Sequence, residues 1–381
     1  DALMETMPQP SLILTVATFA VVIGVLVFIH EFGHYLAGRI FGVKADAFSI
    51  GFGREIAGWT DRRGTRWKVG MLPLGGYVKF AGDMNAASEA ADVSEATPAE
   101  RAVMFQSKPL WQRAIIILAG PMTNFAFAIL VFAAFFTIYG HAFTPARIAK
   151  VVAGSPAERA GFVAGDRIVA LDRAPVERFE DVVRVVTMNT GTPIDAEVDR
   201  GGKRLHLTVR PKLVDEVDRF GNHYTQGQLG VGSGGRIVVQ RAPIAALGFA
   251  VKEVWLLTGT MADGIVDVVT GRRAVTELGG PIKIAQISGQ QAVLGLPNLV
   301  QFMALISINL GFINLLPVPM LDGGHLFLYA VEAVRRRPLA PKVQEFAFMS
   351  GFAALLSLMV FLTWNDLAAV GVWQHLSGLF G

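Results

Sequence analysis

The chain has 381 residues, of which 52% are hydrophobic and only 17% charged, and its formal net charge is +3. That balance is more apolar than an ordinary soluble domain, and so small a positive charge leaves nucleic acid no electrostatic footprint. There is no Cys, which excludes disulfides and thiolate metal sites, so any metal must be held by His, Asp or Glu.

Residues Asp1 to Pro10 carry Asp1 and Glu5 but no Lys or Arg, unlike the basic start of a cleaved signal peptide. Leu12 to Ile29 is 18 residues without a charge, long enough to cross a bilayer, and is expected as an uncleaved first span. It ends in VLVFIHEFGHYLAGRIF, Val25 to Phe41, where His30, Glu31 and His34 follow pure hydrocarbon. Gly42 to Phe80 is rich in Gly, aromatic and β-branched residues, and DRRG, Asp61 to Gly64, is a turn signal between two strand-like runs. In the second run Pro73, Gly75 and Gly76 suit an edge strand or a bent hairpin. Ala81 to Glu100 reads as a loop, and Ala114 to Gly140, with no charge, as the second span.

The stretch GSPAERAGFVAGDRIVALDRAPV from Gly154 leads through EDVVRVV, a helix, to PIDAEVDRGGKRLHLTVRP, a hairpin turning at DRGG. This order of elements resembles a bacterial PDZ domain over Arg147 to Leu213. Asp215 to Gly235, Gly-rich and polar, is expected as a linker. In Ala250 to Val269 the stripe Val251, Val254, Trp255, Met261, Ile265, Val268 and Val269 has helical spacing. That helix either lies on the membrane surface or packs beneath an external domain. Pro297 to Leu316 and Phe346 to Trp364 are uncharged and complete four expected spans.

Loop charge sets the orientation. Eleven Lys or Arg lie between Arg39 and Arg113, and Arg335, Arg336, Arg337 and Lys342 lie between the third and fourth spans. The positive-inside rule puts both loops in the cytoplasm and both ends, with the long loop from His141 to Leu296, outside.

His30 and His34 are four residues apart, which on a helix puts both on one face, able to hold one metal ion. Glu31 is placed to act on water at the metal rather than to ligate it. The pattern is HExxH, with zinc as the expected metal. Ionisable groups inside a span default to function. Two His leave tetrahedral zinc short of a third protein ligand. NLGFINLLPVPMLDGGHL supplies Asp322 and His325 at the end of a span that reaches the same face, and from this geometry either could ligate.

HEFGH in a first span, one PDZ-like domain, and NLLPVPMLDGG before the last span together resemble the site-2 protease family of intramembrane zinc proteases, in its bacterial regulator-of-sigma-E-protease branch. GPMTN in the second span and GGPIKIA before the third extend the likeness over nearly the whole chain. The resemblance implies Asp322 as third ligand, substrate-positioning roles for Asn314 and Pro317, and a re-entrant β element near Val69 to Phe80. An ordinary cytoplasmic hairpin fits that last segment equally. A substrate held by strand addition would meet the backbone around Gly75 and Gly76. His325 then falls to packing or support, and Gly120, Pro121 and Asn124 to helix packing or a kink. The best-known bacterial members carry two PDZ domains in tandem; this chain has one.

The expected fold is thus an α-helical polytopic membrane protein. It has four transmembrane helices, a cytoplasmic-side β-hairpin and an inserted external α+β PDZ domain. The expected parts are 1–140, holding HExxH, the hairpin and the second span; 145–213, the PDZ domain; 214–245, a linker; 246–296, an amphipathic external segment; and 297–381, holding the LDG motif. The expected activity is zinc-dependent hydrolysis of a peptide bond in or near the span of a single-pass membrane protein, of the anti-sigma-factor kind, after a first external cut. Catalysis falls to Glu31 and metal binding to His30, His34 and Asp322. Partners are the substrate, the lipid bilayer and a chain end at the PDZ domain, in a bacterial inner membrane. A metal transporter would need further acids along a path, and the spans hold none beyond the motifs. An inactive scaffold would have no use for an intact Glu31.

Overall fold

The computed structural model describes residues 10–82, 97–187, 191–217, 223–270, 280–337 and 339–369. The chain divides into two compact units, one of residues 1–134 with 244–381 and one of residues 135–243.

The first unit opens with α1, Leu12–Ile40, which Ser11 caps by accepting the Leu14 N–H. The helix runs on through the HExxH residues, because nothing in EFGHYLAGR breaks it. β1, Ala45–Thr60, and β2, Arg66–Phe80, form an antiparallel hairpin. Its turn is the expected one: the Asp61 carboxylate accepts from the Arg63 and Thr65 backbone N–H groups, and Gly64 takes the left-handed conformation. The hairpin folds over itself, since Ala47 to Ile50 face Arg66 to Val69 and also Gly76 to Lys79. That leaves the Gly76 to Phe80 end of β2 as an outer strand beside α1. Of the expected loop 81–100, residues 83–96 lie outside the described residues; at its end stands α2, Pro98–Val103, with a Thr97–Glu100 capping box. α3, Leu110–Ile138, contains Pro121.

The second unit carries β3 (His141–Phe143), β4 (Ile148–Val151), α4 (Pro156–Arg159), β5 (Arg167–Leu171), β6 (Ala174–Pro175), α5 (Phe179–Thr187), β7 (Ile194–Arg200) and β8 (Lys203–Val209). It continues with β9 (Lys212–Val217), β10 (His223–Gln228), β11 (Val231–Ser233) and β12 (Ile237–Val239). The sheet order is β6-β5-β7-β8, with β4 paired to β11, β9 to β10 and β3 to β12. Ile148, Ile168, Leu171, Ile194, Ala196 and Val198 form its core. The β7–β8 hairpin turns at Gly201 and Gly202, both with positive φ, as two-residue hairpin loops require. The segment 214–245, expected as a linker, carries strands instead: β11 pairs with β4, and Leu229 is buried in the core. Residues 218–222 within it lie outside the described residues.

The first unit resumes with α6 (Pro243–Val269), α7 (Pro281–Val293), α8 (Leu296–Asn314), α9 (Asp322–Arg335) and α10 (Pro341–Ala369). Among the described residues five helices, α1, α3, α6, α8 and α10, are long and apolar enough to cross a membrane, one more than the four expected spans. The addition is α6. Of the expected stripe Val254 is buried, together with Ala246 and Ala250, whereas Val251, Trp255 and Val269 are exposed. The packing seam is made of small residues, to which a search for bulky apolar spacing is blind. Residues 370–381, the end of the expected part 297–381, lie outside the described residues.

Candidate metal centre

The helical spacing that puts His30 and His34 on one face brings their Nε2 atoms to 3.3 Å. Asp322 is the first residue of α9, and its Oδ2 lies 3.0 Å from His30 Nε2 and 3.4 Å from His34 Nε2. Asp322 reaches them because α9 begins tight against the preceding loop. A Cβ on Gly323 would stand 2.3 Å from the Leu315 and Leu316 carbonyl oxygens, and one on Gly324 2.3 Å from that of Val318.

Each imidazole is held from behind. His34 Nδ1 lies 2.8 Å from the Ile116 carbonyl oxygen of α3. Proton donation to that oxygen leaves Nε2 with its lone pair facing Asp322. Gly120 makes the approach possible, since a Cβ there would fall 2.2 Å from His34 Nε2. Pro121 lacks the N–H that the Ile117 carbonyl would take, loosening the α3 ladder at this turn. Behind His30 stands Asn124 of α3, fully buried, with Nδ2 3.1 Å from His30 Nδ1.

The three facing atoms fit a zinc ion. Asp322 Oδ2 is buried with no hydrogen-bond donor satisfying it, despite two imidazole nitrogens at contact distance. In the deprotonated forms that ligate metal, these three atoms at 3.0–3.4 Å repel one another unless a cation sits among them. Tetrahedral zinc with ligand bonds of ~2.0–2.1 Å spaces its ligand atoms ~3.3 Å apart. Among the described residues this is the one cluster of three or more His, Cys, Asp or Glu that could hold a metal.

The triad opens on a cavity of about 500 Å³ that Glu31, Gly75, Gly76, Asn314 and His325 also line. Glu31 is buried and receives the Val78 backbone N–H; it is not part of the ligand cluster. Gly76 lets β2 approach it, for a Cβ there would be 3.1 Å from Glu31 Cγ. His325 packs its ring against Phe348 at 4.7 Å and is outside the cluster, so geometry favours Asp322 of the two candidates. Pro317 is exposed and is not among the residues lining the cavity.

Three contributors escaped sequence reasoning: the Ile116 carbonyl, Gly120 and Asn124. A backbone carbonyl leaves no trace in residue type. Gly120 and Asn124 show only as oddities in an apolar run, and their partners lie more than eighty positions away.

A His-His-Asp cluster with an unligated carboxylate beside it, both imidazoles on a helix of membrane-crossing length, has the make-up of a metallohydrolase of the membrane. The model of peptidase family M50 matches residues 18–358. The chain is 44% identical over 360 residues to "Putative zinc metalloprotease R01501" of Rhizobium meliloti, covering 93% of this chain and 96% of that protein. It is 39% identical over 386 residues to "Metalloprotease MmpA" of Caulobacter vibrioides, covering 94% and 96%. A PDZ domain of an SdrC-like protein from Listeria monocytogenes aligns with 24% of this chain and 88% of its own length, at 17% identity and a TM-score of 0.19. The chain belongs to peptidase family M50, the zinc-dependent site-2 protease family.

Proposed function

We propose that this protein is an intramembrane endopeptidase that cuts single-pass membrane proteins in or near their spans. The observation that carries this reading is the convergence of His30, His34 and Asp322 beside Glu31 in one cavity whose walls are membrane-length helices. His30, His34 and Asp322 hold the zinc. When bound, zinc supplies the Lewis acidity that makes water nucleophilic at neutral pH and polarises a carbonyl. Glu31 takes the proton of the attacking water and delivers it to the leaving amine. The Val78 N–H keeps the carboxylate turned toward the cavity.

A helical substrate hides its backbone hydrogen-bonding groups and must become extended to be cut. The start of the outer strand, at Gly75 and Gly76, offers an edge for strand addition and keeps side chains out of the way. Asn314, which also lines the cavity, would hydrogen-bond the extended backbone. Pro317 acts at one remove, by shaping the turn that delivers Asp322.

The membrane arrangement we infer has four spans, with α6 lying along one face. α6 sets out where α3 ends: the Arg241 N–H bonds the Phe136 carbonyl, and Gln240 Nε2 the Ile138 carbonyl. α7 lies at the face where α1 begins and α10 ends. Asp366 of α10 caps it, accepting from Gly280 and Lys283, and Gly289 packs on Thr15. α1 and α3 are antiparallel, so the end of α3 is on that same face. Only residues 271–279 join α6 to α7, and they carry Arg272, Arg273 and Glu277. Taking three charges back through ~30 Å of hydrocarbon is prohibitive. Loop charge makes the opposite face, where the metal ligands lie, cytoplasmic in a bacterial inner membrane. The 135–243 unit is then an external PDZ domain that takes a substrate chain end, such as one left on an anti-sigma-factor-type protein by a first external cut.

The test is reconstitution in liposomes with a labelled single-span substrate, the cut mapped by mass spectrometry. The expected result is a chelator-sensitive cut within or beside the apolar segment. Cuts confined to exposed loops, or cleavage indifferent to chelator, would overturn the proposal.

A further inference from the structure

Asn124 is an amide in the middle of an apolar helix, with no solvent exposure. Burying it costs free energy unless its polar atoms are used. Its backbone carbonyl accepts the Ser307 hydroxyl of α8 at 3.0 Å, and its Nδ2 faces His30 Nδ1, while Oδ1 has no partner. The buried, unpartnered oxygen thus belongs to the side chain that touches a metal-binding imidazole.

The two imidazoles are not held alike. His34 Nδ1 faces a carbonyl oxygen, which only accepts. Its ring proton is therefore fixed on Nδ1 and its Nε2 is always ready to ligate. His30 Nδ1 faces an amide, which can donate through NH2 or accept through oxygen. The two ends of an amide are nearly equal in shape, and rotation by half a turn exchanges them. With NH2 toward the ring, Nδ1 accepts, the proton sits on Nε2, and the ring donates to Asp322. With Oδ1 toward the ring, Nδ1 donates, the proton leaves Nε2, and the lone pair is free for a metal.

We propose that Asn124 is a positioning residue that selects the tautomer of His30: its amide serves the metal-free ring in one orientation and the metal-binding ring in the other. The Ser307 contact and the bare backbone of Gly311, where an added Cβ would stand 3.3 Å from Asn124 Cβ, hold the side chain at the depth where either orientation reaches Nδ1. The inference rests on the reading of His30, His34 and Asp322 as zinc ligands. It adds that the third turn of contacts around the metal comes from GPMTN, with Gly120 admitting one imidazole and Asn124 orienting the other.

The experiment compares Asn124→Ala, which offers Nδ1 nothing, with Asn124→Asp, which can only accept and so favours the metal-binding tautomer. Zinc affinity of the purified full-length protein in detergent is measured by chelator competition, and the cobalt-loaded forms by their visible absorption. Partners of a ligating His typically change metal affinity by about 10–100-fold. Asn124→Ala is expected to bind zinc at least about tenfold more weakly than Asn124→Asp, with a shifted cobalt spectrum, while Asn124→Asp stays near wild type. A gap below that, with both variants folded, means that Asn124 only packs and overturns the proposal. If Asn124→Ala does not fold, Asn124→Asp decides alone, and weakening of about tenfold or more in that variant overturns it. Should the wild type itself bind no zinc, it is the ligand reading that fails rather than the role of Asn124.

Discussion

At the scale of single residues, the centre asks different things of neighbouring side chains. Asp322→Asn keeps the shape but substitutes a neutral amide for a charged ligand, so zinc affinity and activity should fall together. Chelator competition measures the first, and unchanged affinity would return the third-ligand role to His325. Gly120→Ala puts a methyl group where His34 Nε2 now stands. The imidazole must move, and zinc content should drop even though Ala is the better helix former; a zinc-replete Gly120→Ala protein would show that α3 can retreat. The HExxH ligands were legible because both lie on one helix, where a spacing of four residues means a shared face. Asn124 was not, because its partner is reached across a helix crossing whose register no local pattern encodes.

Among the elements, α1, α3, α8 and α10 were readable from uncharged length alone. The structure starts α1 at the expected residue and carries it past the expected end, because HEFGHYLAGR has no Pro to stop it and packs its glycines on α3 and β2. α6 marks the limit of that reading: length and hydropathy permit a crossing, and only the connections at its two ends argue against one. If α6 lies along the membrane face, single Cys residues at Ile244 and Val269, introduced into this Cys-free chain, should react with an impermeant thiol reagent from the same side. Reaction from opposite sides would make α6 a fifth span. The unexpected strands β11 and β12 have a similar cause. Short strands between glycines look like linker until a distant partner, here β4 or β3, is known.

For the molecule as a whole, two units with separate cores imply separable stabilities and roles. In the 135–243 unit, Asp166 is fully buried. Burial pushes its carboxyl up, but Arg200, which grips both oxygens at 2.7 and 2.8 Å, and the Val163 N–H hold it below the usual carboxylate range. A depressed folded-state pKa gives stability that is complete above the unfolded value, ~3.9 for Asp, and is lost as pH falls below it. The protection factors of the β5 and β7 amides against hydrogen exchange should therefore fall below pH ~4. Asp166→Asn should cost about 1–3 kcal/mol at neutral pH and flatten that acid dependence; an unaltered profile would remove the pair from the account. If the same unit gates substrate entry, joining β3 directly to β12 by a short turn should leave zinc binding intact. It should also raise cleavage of substrates that keep a bulky external domain. Loss of zinc on that deletion would mean the unit supports the metal centre.

The central claim is that three side chains hold the metal while Glu31, beside them and unligated, moves the proton. The most direct measurement takes zinc content and cleavage of a single-span substrate from the same preparations of wild type and Glu31→Gln. About one zinc per chain is expected in both proteins, with cleavage reduced in the variant by about two to four orders of magnitude. Glu31→Gln that cuts at the wild-type rate, or that has lost its zinc, would contradict it.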